Sequence, residues 1–412
     1  MEEWRTYKLG DLCSITSSKR IFADEYRESG VPFYRGKEII ELQKGSNISS
    51  ELYISEERYN EINLKYGVPI KGEMLLTSVG TLGIPYVVKD GRFYFKDGNL
   101  TWFRNFNRLN SRYLYYWFLS PAGKAQIDSK AIGSTQKALT IDCLSKFEIK
   151  LPSIEVQERI VSILDSVDSK IACNRQINDN LEQQAQALYK SWFVDFEPFC
   201  EEEFIETSLG SIPAGWKVGQ LSDICEIVGG GTPSKSHPEY YCSRGIAWIT
   251  PKDLSLSKSK FSSRGSEDIT SDGYKNSSAK LMPRGTVLFS SRAPIGYISI
   301  ATNEICTNQG FKSAVPGIAG TGYLYYFLQA NTDKIESKAS GSTFKEASGS
   351  LMKALEVIIP ADGIFNQFEA ELAPILNKQE NIASEIQTLT TLRDTILPKL
   401  MSGELKINEI DS

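Results

Sequence analysis

The chain repeats itself over nearly its whole length. Trp4-Arg5-Thr6-Tyr7-Lys8-Leu9-Gly10-Asp11-Leu12-Cys13 returns as Trp216-Lys217-Val218-Gly219-Gln220-Leu221-Ser222-Asp223-Ile224-Cys225, 212 positions later. Val31-Pro32-Phe33-Tyr34 and Lys37-Glu38-Ile39 return as Ile246-Ala247-Trp248-Ile249 and Lys252-Asp253-Leu254, offset 215. Gly72-Glu73-Met74-Leu75-Leu76-Thr77-Ser78 returns as Gly285-Thr286-Val287-Leu288-Phe289-Ser290-Ser291, offset 213. Tyr113-Leu114-Tyr115-Tyr116 returns as Tyr323-Leu324-Tyr325-Tyr326, offset 210. Ile127-Asp128-Ser129-Lys130-Ala131 and Gly133-Ser134-Thr135 return as Ile335-Glu336-Ser337-Lys338-Ala339 and Gly341-Ser342-Thr343, offset 208. Anchors in one order at a nearly constant offset mean a tandem duplication. The period is far too long for a solenoid, so the repeated unit is a whole fold.

Each copy has two parts. The first is rich in Gly, Ser, Pro and aromatics. Its short β-type runs, such as Val31-Pro32-Phe33-Tyr34, Met74-Leu75-Leu76-Thr77 and Thr286-Val287-Leu288-Phe289-Ser290, alternate with turn residues, and helical stretches follow near 112–119 and 323–329. The second part is helical. One seam position holds Ile160, Val167, Asn174, Leu181 and Leu188; the other holds Leu164, Ile171, Asn178, Ala185 and Trp192. The second copy gives Phe368, Ile375, Ile382, Leu389 and Ile396, then Leu372, Gln379, Ile386, Arg393 and Leu400. Apolar residues sustained at 3.5 spacing over about five heptads predict a coiled coil, with the other copy's helix as partner. The plain alternative is an amphipathic helix packed on its own domain. Asn174, Asn178, Gln379 and Arg393 would fix register at a cost in stability. Pro374 and Pro398 should kink the second helix or mark its ends. The expected fold is α+β: two duplicated globular domains separated by two long helices that pair as an antiparallel intramolecular coiled coil, with pseudo-two-fold symmetry. The expected boundaries are 1–152, 153–206, 207–360 and 361–412.

Charge follows the same division. The chain carries −5 overall, which taken evenly argues against a nucleic-acid binder. The globular parts carry +4 each, and the helical parts carry −8 and −5. Two mildly basic domains alternate with two acidic helices. A DNA-reading face needs only a few Lys and Arg, because each neutralised phosphate releases a counterion. A +4 domain is equally compatible with an ordinary solvated surface.

The sequence offers little for catalysis. His237 is the single histidine, so no Ser-His-Asp or Cys-His arrangement can occur twice, and its Ser-His-Pro context reads as a surface turn. Seven scattered cysteines contain no Cys-x-x-Cys pair, which argues against zinc and a disulfide framework and for a reduced cytosol. Gly229-Gly230-Gly231-Thr232-Pro233-Ser234-Lys235 lacks phosphate-loop spacing, and Pro233 removes an N–H. No Gly-x-Gly-x-x-Gly follows a strand, and no Asn-Pro-Pro-aromatic or Asp-Pro-Pro-aromatic motif supports amino methylation. There is no run of about 18 apolar residues and no secretory signal at the start. A binding or assembly module is the reading that remains.

The order of parts resembles the specificity subunit of type I restriction–modification systems, over essentially the whole chain. The resemblance rests on Ser17-Ser18-Lys19-Arg20-Ile21-Phe22-Ala23-Asp24-Glu25-Tyr26 and Val31-Pro32-Phe33-Tyr34-Arg35-Gly36-Lys37-Glu38-Ile39. It continues in Asn174-Arg175-Gln176-Ile177-Asn178 and Ala185-Gln186-Ala187-Leu188-Tyr189-Lys190-Ser191-Trp192-Phe193. In the second copy it rests on Gly230-Gly231-Thr232-Pro233-Ser234 and Leu397-Pro398-Lys399-Leu400-Met401-Ser402-Gly403-Glu404-Leu405. The resemblance implies two target recognition domains, each reading half of a bipartite double-stranded DNA site. It implies helices that set the gap: the 32 residues from Ile160 to Trp192 would span about 48 Å. It also implies two methyltransferase subunits, with S-adenosylmethionine, and motor-nuclease subunits, with ATP and magnesium. This chain itself would hold no cofactor, metal or catalytic residue.

The copies differ between anchors, so an asymmetric DNA site is expected. Base readers should be polar residues near the anchors: Lys19, Arg20, Arg35, Lys37, Thr77 and Ser78, then Thr232, Ser234, Lys235, Lys252, Ser290, Ser291 and Arg292. Two rivals are a non-DNA coiled-coil scaffold and a DNA methyltransferase with a fused recognition domain. The second lacks its S-adenosylmethionine motifs.

Overall fold

The structure, a computed structural model, describes residues 4–45, 48–49, 51–131, 137–292, 294–341 and 345–405. The repeated Gly133-Ser134-Thr135 anchor and its partners Ser342 and Thr343 lie outside the described residues. The chain divides into two compact units, Met1–Cys173 with Gln387–Ser412, and Asn174–Ile386.

In the first unit, strand Arg5–Lys8 pairs antiparallel with Glu148–Leu151, which closes the ends of the globular part on each other. A four-stranded antiparallel sheet runs in the order Ser14–Thr16, Leu100–Arg104, Met74–Thr77, Pro85–Val87. A three-stranded sheet holds Tyr53–Ile54, Val31–Tyr34 and Tyr94–Phe95, the last two parallel. Helix Ser111–Leu119 is capped by Asn110, whose Oδ1 accepts from the N–H groups of Arg112 and Tyr113. It drives Tyr113, Leu114, Tyr116 and Phe118 into the core.

The second unit repeats this in register. Lys217–Gln220 pairs with Glu356–Ile359, as the offsets require. Its main sheet has five strands, ordered Cys225–Gly229, Lys312–Pro316, Val287–Ser291, Ile295–Ala301, Phe261–Ser262. Trp248–Ile249 pairs parallel with Cys306–Thr307, matching Phe33–Tyr34 on Tyr94–Phe95. Helix Thr321–Ala330 occupies the place of Ser111–Leu119. Hairpin Phe204–Thr207 with Gly210–Pro213 precedes all of this and has no counterpart among the first unit's described residues.

Two long helices run through Ile154–Phe193 and Ile364–Ser402. Within the first unit, Ile160 and Leu164 share a core with Leu397, Leu400 and Met401. Within the second, Ala185 and Trp192 share one with Phe368 and Leu372. Early residues of one helix meet late residues of the other, so the pairing is antiparallel in each unit. Of the predicted seam, Ile160, Leu164, Ile171, Asn174, Trp192, Phe368, Leu372, Ile382 and Leu400 are buried. Val167, Leu181, Leu188, Ile375, Ile386, Leu389 and Ile396 are half-buried.

Two expectations change here. The seam is too narrow at the helix ends, where Tyr189, Phe193, Phe365, Leu397 and Met401 are also buried. There the helices pack on their own globular cores as well as on each other, which needs the wider apolar stripe of a globular helix. The plain alternative is therefore also right at the ends. Second, neither proline bounds the C-terminal helix: Pro374 and Pro398 both lie within Ile364–Ser402. The carbonyl that Pro374 leaves without its helical donor belongs to Ala370, an exposed residue that water can reach.

Candidate nucleic-acid interface

In each unit, two loops, a helix start and a strand end converge. In the first unit the loop after Ser14–Thr16 meets the loop after Tyr94–Phe95. The Lys19 N–H donates to the Tyr94 hydroxyl at 2.6 Å, and Arg20 Nε donates to Asp97 Oδ2 at 2.7 Å. The Gly98 N–H donates to Ser17 Oγ at 3.4 Å. In the second unit the Gly230–Lys235 loop meets the loop after Cys306–Thr307. The Gly231 N–H donates to the Thr307 carbonyl at 2.8 Å, and the Thr232 hydroxyl donates to Gln309 Oε1. Trp248 Nε1 and the Tyr241 hydroxyl hold the Gly231 and Pro233 carbonyls at 3.0 and 2.6 Å. A Cβ on Gly230 would lie 2.0 Å from the Asn308 carbonyl oxygen, so only glycine permits this approach.

The helices Gly36–Gln43 and Pro251–Ser257 start beside these loops. A Cβ on Gly36 would lie 4.0 Å from Thr77 Cγ2, and one on Gly310 would lie 3.0 Å from Pro251 Cγ. Both helices carry a carboxylate at the third position, Glu38 and Asp253. Burial pushes the Glu38 carboxyl up, but the Arg35 guanidinium and N–H outweigh it and hold it below the usual range. Burial opposes Asp253 in the same way, and the Thr250 hydroxyl and N–H with Ser266 outweigh it. Lys37 and Lys252 project from equivalent first turns and are exposed.

Four of the proposed base readers are corrected. Thr77, Ser78, Ser290 and Ser291 are at most 2% exposed. Thr77 Oγ1 accepts from the Ile84 N–H at 2.9 Å, and Ser290 Oγ accepts from the Tyr297 N–H at 2.7 Å, the same bond in both units. The Ser78 hydroxyl donates to the Leu76 carbonyl, and that of Ser291 to the Gly310 carbonyl. These hydroxyls satisfy buried backbone and are closed to a DNA base.

The other candidates remain at the surface. Arg35 is bound to Glu38 at 2.6 Å, and Lys37 stands 4.0 Å from Glu41. Lys19 Nζ sits 5.5 Å from the Tyr66 ring centre. Ser234 bonds Ser236 at 2.7 Å, and Lys235 is exposed on the same loop. Arg292 lies 3.9 Å from Glu346, which also takes Lys312 at 3.3 Å. Asp97, Gln309 and Glu346 were missed by the sequence reading. Asp97 and Gln309 are 212 apart, the offset of the first anchor, but they lie between the anchors, where the two copies differ in side-chain chemistry.

Three of the seven cysteines, Cys13, Cys225 and Cys306, are buried. Burial pushes the equivalent thiols of Cys13 and Cys225, and that of Cys306, up to about 12. They stay protonated at neutral pH. His237 is half exposed, bonded to Glu239 at 2.8 Å and stacked on Tyr240. No group of three metal-ligating side chains occurs among the described residues. Among the same residues, no helix is long and apolar enough to cross a membrane.

The model of the type I restriction modification DNA specificity domain matches residues 1–183 and again 213–400. The chain is similar to the HindI specificity subunit of Haemophilus influenzae, 25% identical over 98% of this chain and 100% of that one. It is 43% identical to the MjaIX specificity subunit of Methanocaldococcus jannaschii over 39% of this chain, spanning 38% of that relative. The crystal structure of an S subunit from M. genitalium has the same fold, with a TM-score of 0.65 at 13% identity, covering 97% of this chain and 96% of that one. With both copies matched, the chain belongs to the type I restriction modification DNA specificity family.

Proposed function

We propose that this chain is the DNA-reading, non-catalytic subunit of a type I restriction–modification complex, each globular part reading one half of an asymmetric bipartite site. The observation that carries this is the pair of equivalent loop clusters, one per family match, built on one scaffold and filled with different polar side chains. Arg, Lys, Gln and Thr are the side chains that meet base edges and phosphates. Duplication within one chain lets the halves diverge, which a homodimer does not. The paired helices set the gap between half-sites and seat two methyltransferase subunits. Their acidity keeps them off the phosphate backbone. S-adenosylmethionine, ATP and magnesium act in the methyltransferase and motor-nuclease subunits, in the cytoplasm.

Co-expression with a cognate methyltransferase subunit, followed by methylome sequencing and DNA titration at several salt concentrations, tests this. A two-part, non-palindromic methylated motif and salt-sensitive binding are expected. A palindromic motif removes the asymmetric reading. Methyl transfer by the purified chain alone makes it an enzyme, and salt-insensitive behaviour with partners present makes it a scaffold.

A further inference from the structure

The loop clusters contain one juxtaposition that the repeat makes interpretable. Arg20 and Thr232 are 212 positions apart, and so are Asp97 and Gln309. Arg20 is bonded to Asp97, and Thr232 to Gln309. The same two sites in the scaffold therefore form the same loop-to-loop latch in both units, with different chemistry. We propose that this latch is a base-reading position in each unit, where Arg20 oriented by Asp97 takes a guanine and Gln309 oriented by Thr232 takes an adenine. The proposal rests on the DNA-reading function above and names what two of its positions read.

The Asp97 side chain is 15% exposed and that of Arg20 65%, so the carboxylate is set in the loop and the guanidinium stands out from it. With Nε committed to Asp97, the terminal Nη donors remain for a paired acceptor. Guanine offers O6 and N7 side by side in the major groove, the commonest partner of arginine. The ion pair also cancels the charge that would draw a free arginine to any phosphate. Orientation before binding reduces the ordering cost of the contact.

In the second unit the roles are exchanged between the loops. Gln309 is exposed, and the Thr232 hydroxyl occupies one lone pair of its Oε1. The second lone pair and the Nε2 hydrogens remain. They match the N6 donor and N7 acceptor of adenine. The loop beneath is fixed: the Gly310 N–H donates to Asn308 Oδ1 at 2.9 Å, and Gly310 has Pro251 against it. Asp97 and Thr232 act through their neighbours and are positioning residues.

The test uses the complex with its methyltransferase subunits and a randomised duplex library, selected and sequenced. The wild-type motif should hold a guanine in one half-site and an adenine in the other that depend on these residues. Arg20→Ala should lower discrimination at that guanine by about 5- to 150-fold and leave the second half-site unchanged. Gln309→Ala should do the converse at the adenine. Asp97→Asn, which keeps the shape, should loosen the same guanine and steepen the salt dependence as Arg20 turns to phosphate. Arg20→Ala or Gln309→Ala variants that assemble but weaken all sequences equally, or change nothing, overturn the latch and leave the DNA-reading function standing. A wild-type complex that selects no motif overturns both.

Discussion

The two units solve one problem in two ways. Tyr116 and Tyr326 are equivalent, and each reaches from a domain helix towards the long helices. In the first unit the Tyr116 hydroxyl lies 2.7 Å from Asp165 and 2.8 Å from Asp168. Two guanidiniums answer these carboxylates: Arg112 Nε at 3.0 Å from Asp165, and Arg393 at 3.2 Å from Asp168. In the second unit the Tyr326 hydroxyl lies 3.1 Å from Glu182, and Lys260 Nζ donates to Glu182 at 2.6 Å, Gln379 at 2.9 Å and Tyr326 at 2.5 Å. The first network is spread and half-exposed, with 31% and 35% exposure at Arg112 and Asp165. The second is compact, with Lys260 at 13%. A duplicated scaffold has kept its tyrosine and replaced every charge around it, so the two joints respond separately to mutation and pH.

The largest difference should appear on removing one cation from each. Lys260→Ala leaves Glu182 without its counter-charge in a mostly buried site and should cost about 3–5 kcal/mol. Arg112→Ala acts on charges that water reaches, and Arg393 remains nearby. Its cost should be about 1 kcal/mol. Urea unfolding of both variants measures this, and equal losses would erase the contrast.

The same site sets a pH dependence. Burial pushes the Glu182 carboxyl up, but the Lys260 ammonium, with the Gln379 and Gln186 amides, outweighs it and holds the folded pKa below the ordinary value. The resulting stability is present above the unfolded pKa, about 4.3, and is lost as pH falls through the lower folded value. Glu182→Gln should flatten the acid limb of the stability profile. An unchanged limb would show that Glu182 does not set it.

Smaller, and opposite in sign, is the effect at Glu369. Helix Ser111–Leu119 has its own cap in Asn110, but helix Thr321–Ala330 starts at Gly320 with no side-chain cap. Glu369 reaches in from the C-terminal helix to accept from the Tyr323 N–H at 2.8 Å and the Gly322 N–H at 3.2 Å. Asn110→Ala and Glu369→Ala should each cost about 1 kcal/mol. Burial raises the Glu369 pKa against those two bonds. Its contribution is present below the unfolded pKa and is lost as pH rises through the folded one. Glu369→Gln should remove that slope while keeping an acceptor. A slope that persists in Glu369→Gln would assign it to another group.

These contrasts show which parts of the molecule the sequence discloses. The repeat offsets locate the strand pairs, because backbone register survives when side chains change. Asn110 is legible as a cap because the bond is local. Glu369 is not, because its partners lie 46 and 47 residues away. Thr77, Ser78, Ser290 and Ser291 misled for a physical reason: they recur because the scaffold needs their hydroxyls at a buried turn. In a duplicated reader, what repeats is framework. The positions that read should be those whose geometry repeats and whose chemistry does not, as at Arg20 with Asp97 and Thr232 with Gln309. The seam residues were legible from period alone, whereas Tyr189 and Phe193 fell outside it because both also pack on Tyr323, a residue of the globular core.

The smallest contrast concerns a single charge beside those turns. Arg292 follows Ser291, and the repeat places Val79 at the matching position after Ser78. Both residues make the same antiparallel bridge, Val79 to Ala138 and Arg292 to Glu346. The scaffold therefore does not require the guanidinium, and a valine fits the backbone. Arg292→Val should leave stability within about 0.5 kcal/mol. If Arg292 meets a phosphate, the slope of log K against log salt should become shallower by about 1, with binding weakened alike for all sequences. If it meets a base, the loss should fall on one position of the second half-site. Unchanged affinity and unchanged salt slope would reject both roles and leave Arg292 as the partner of Glu346 alone.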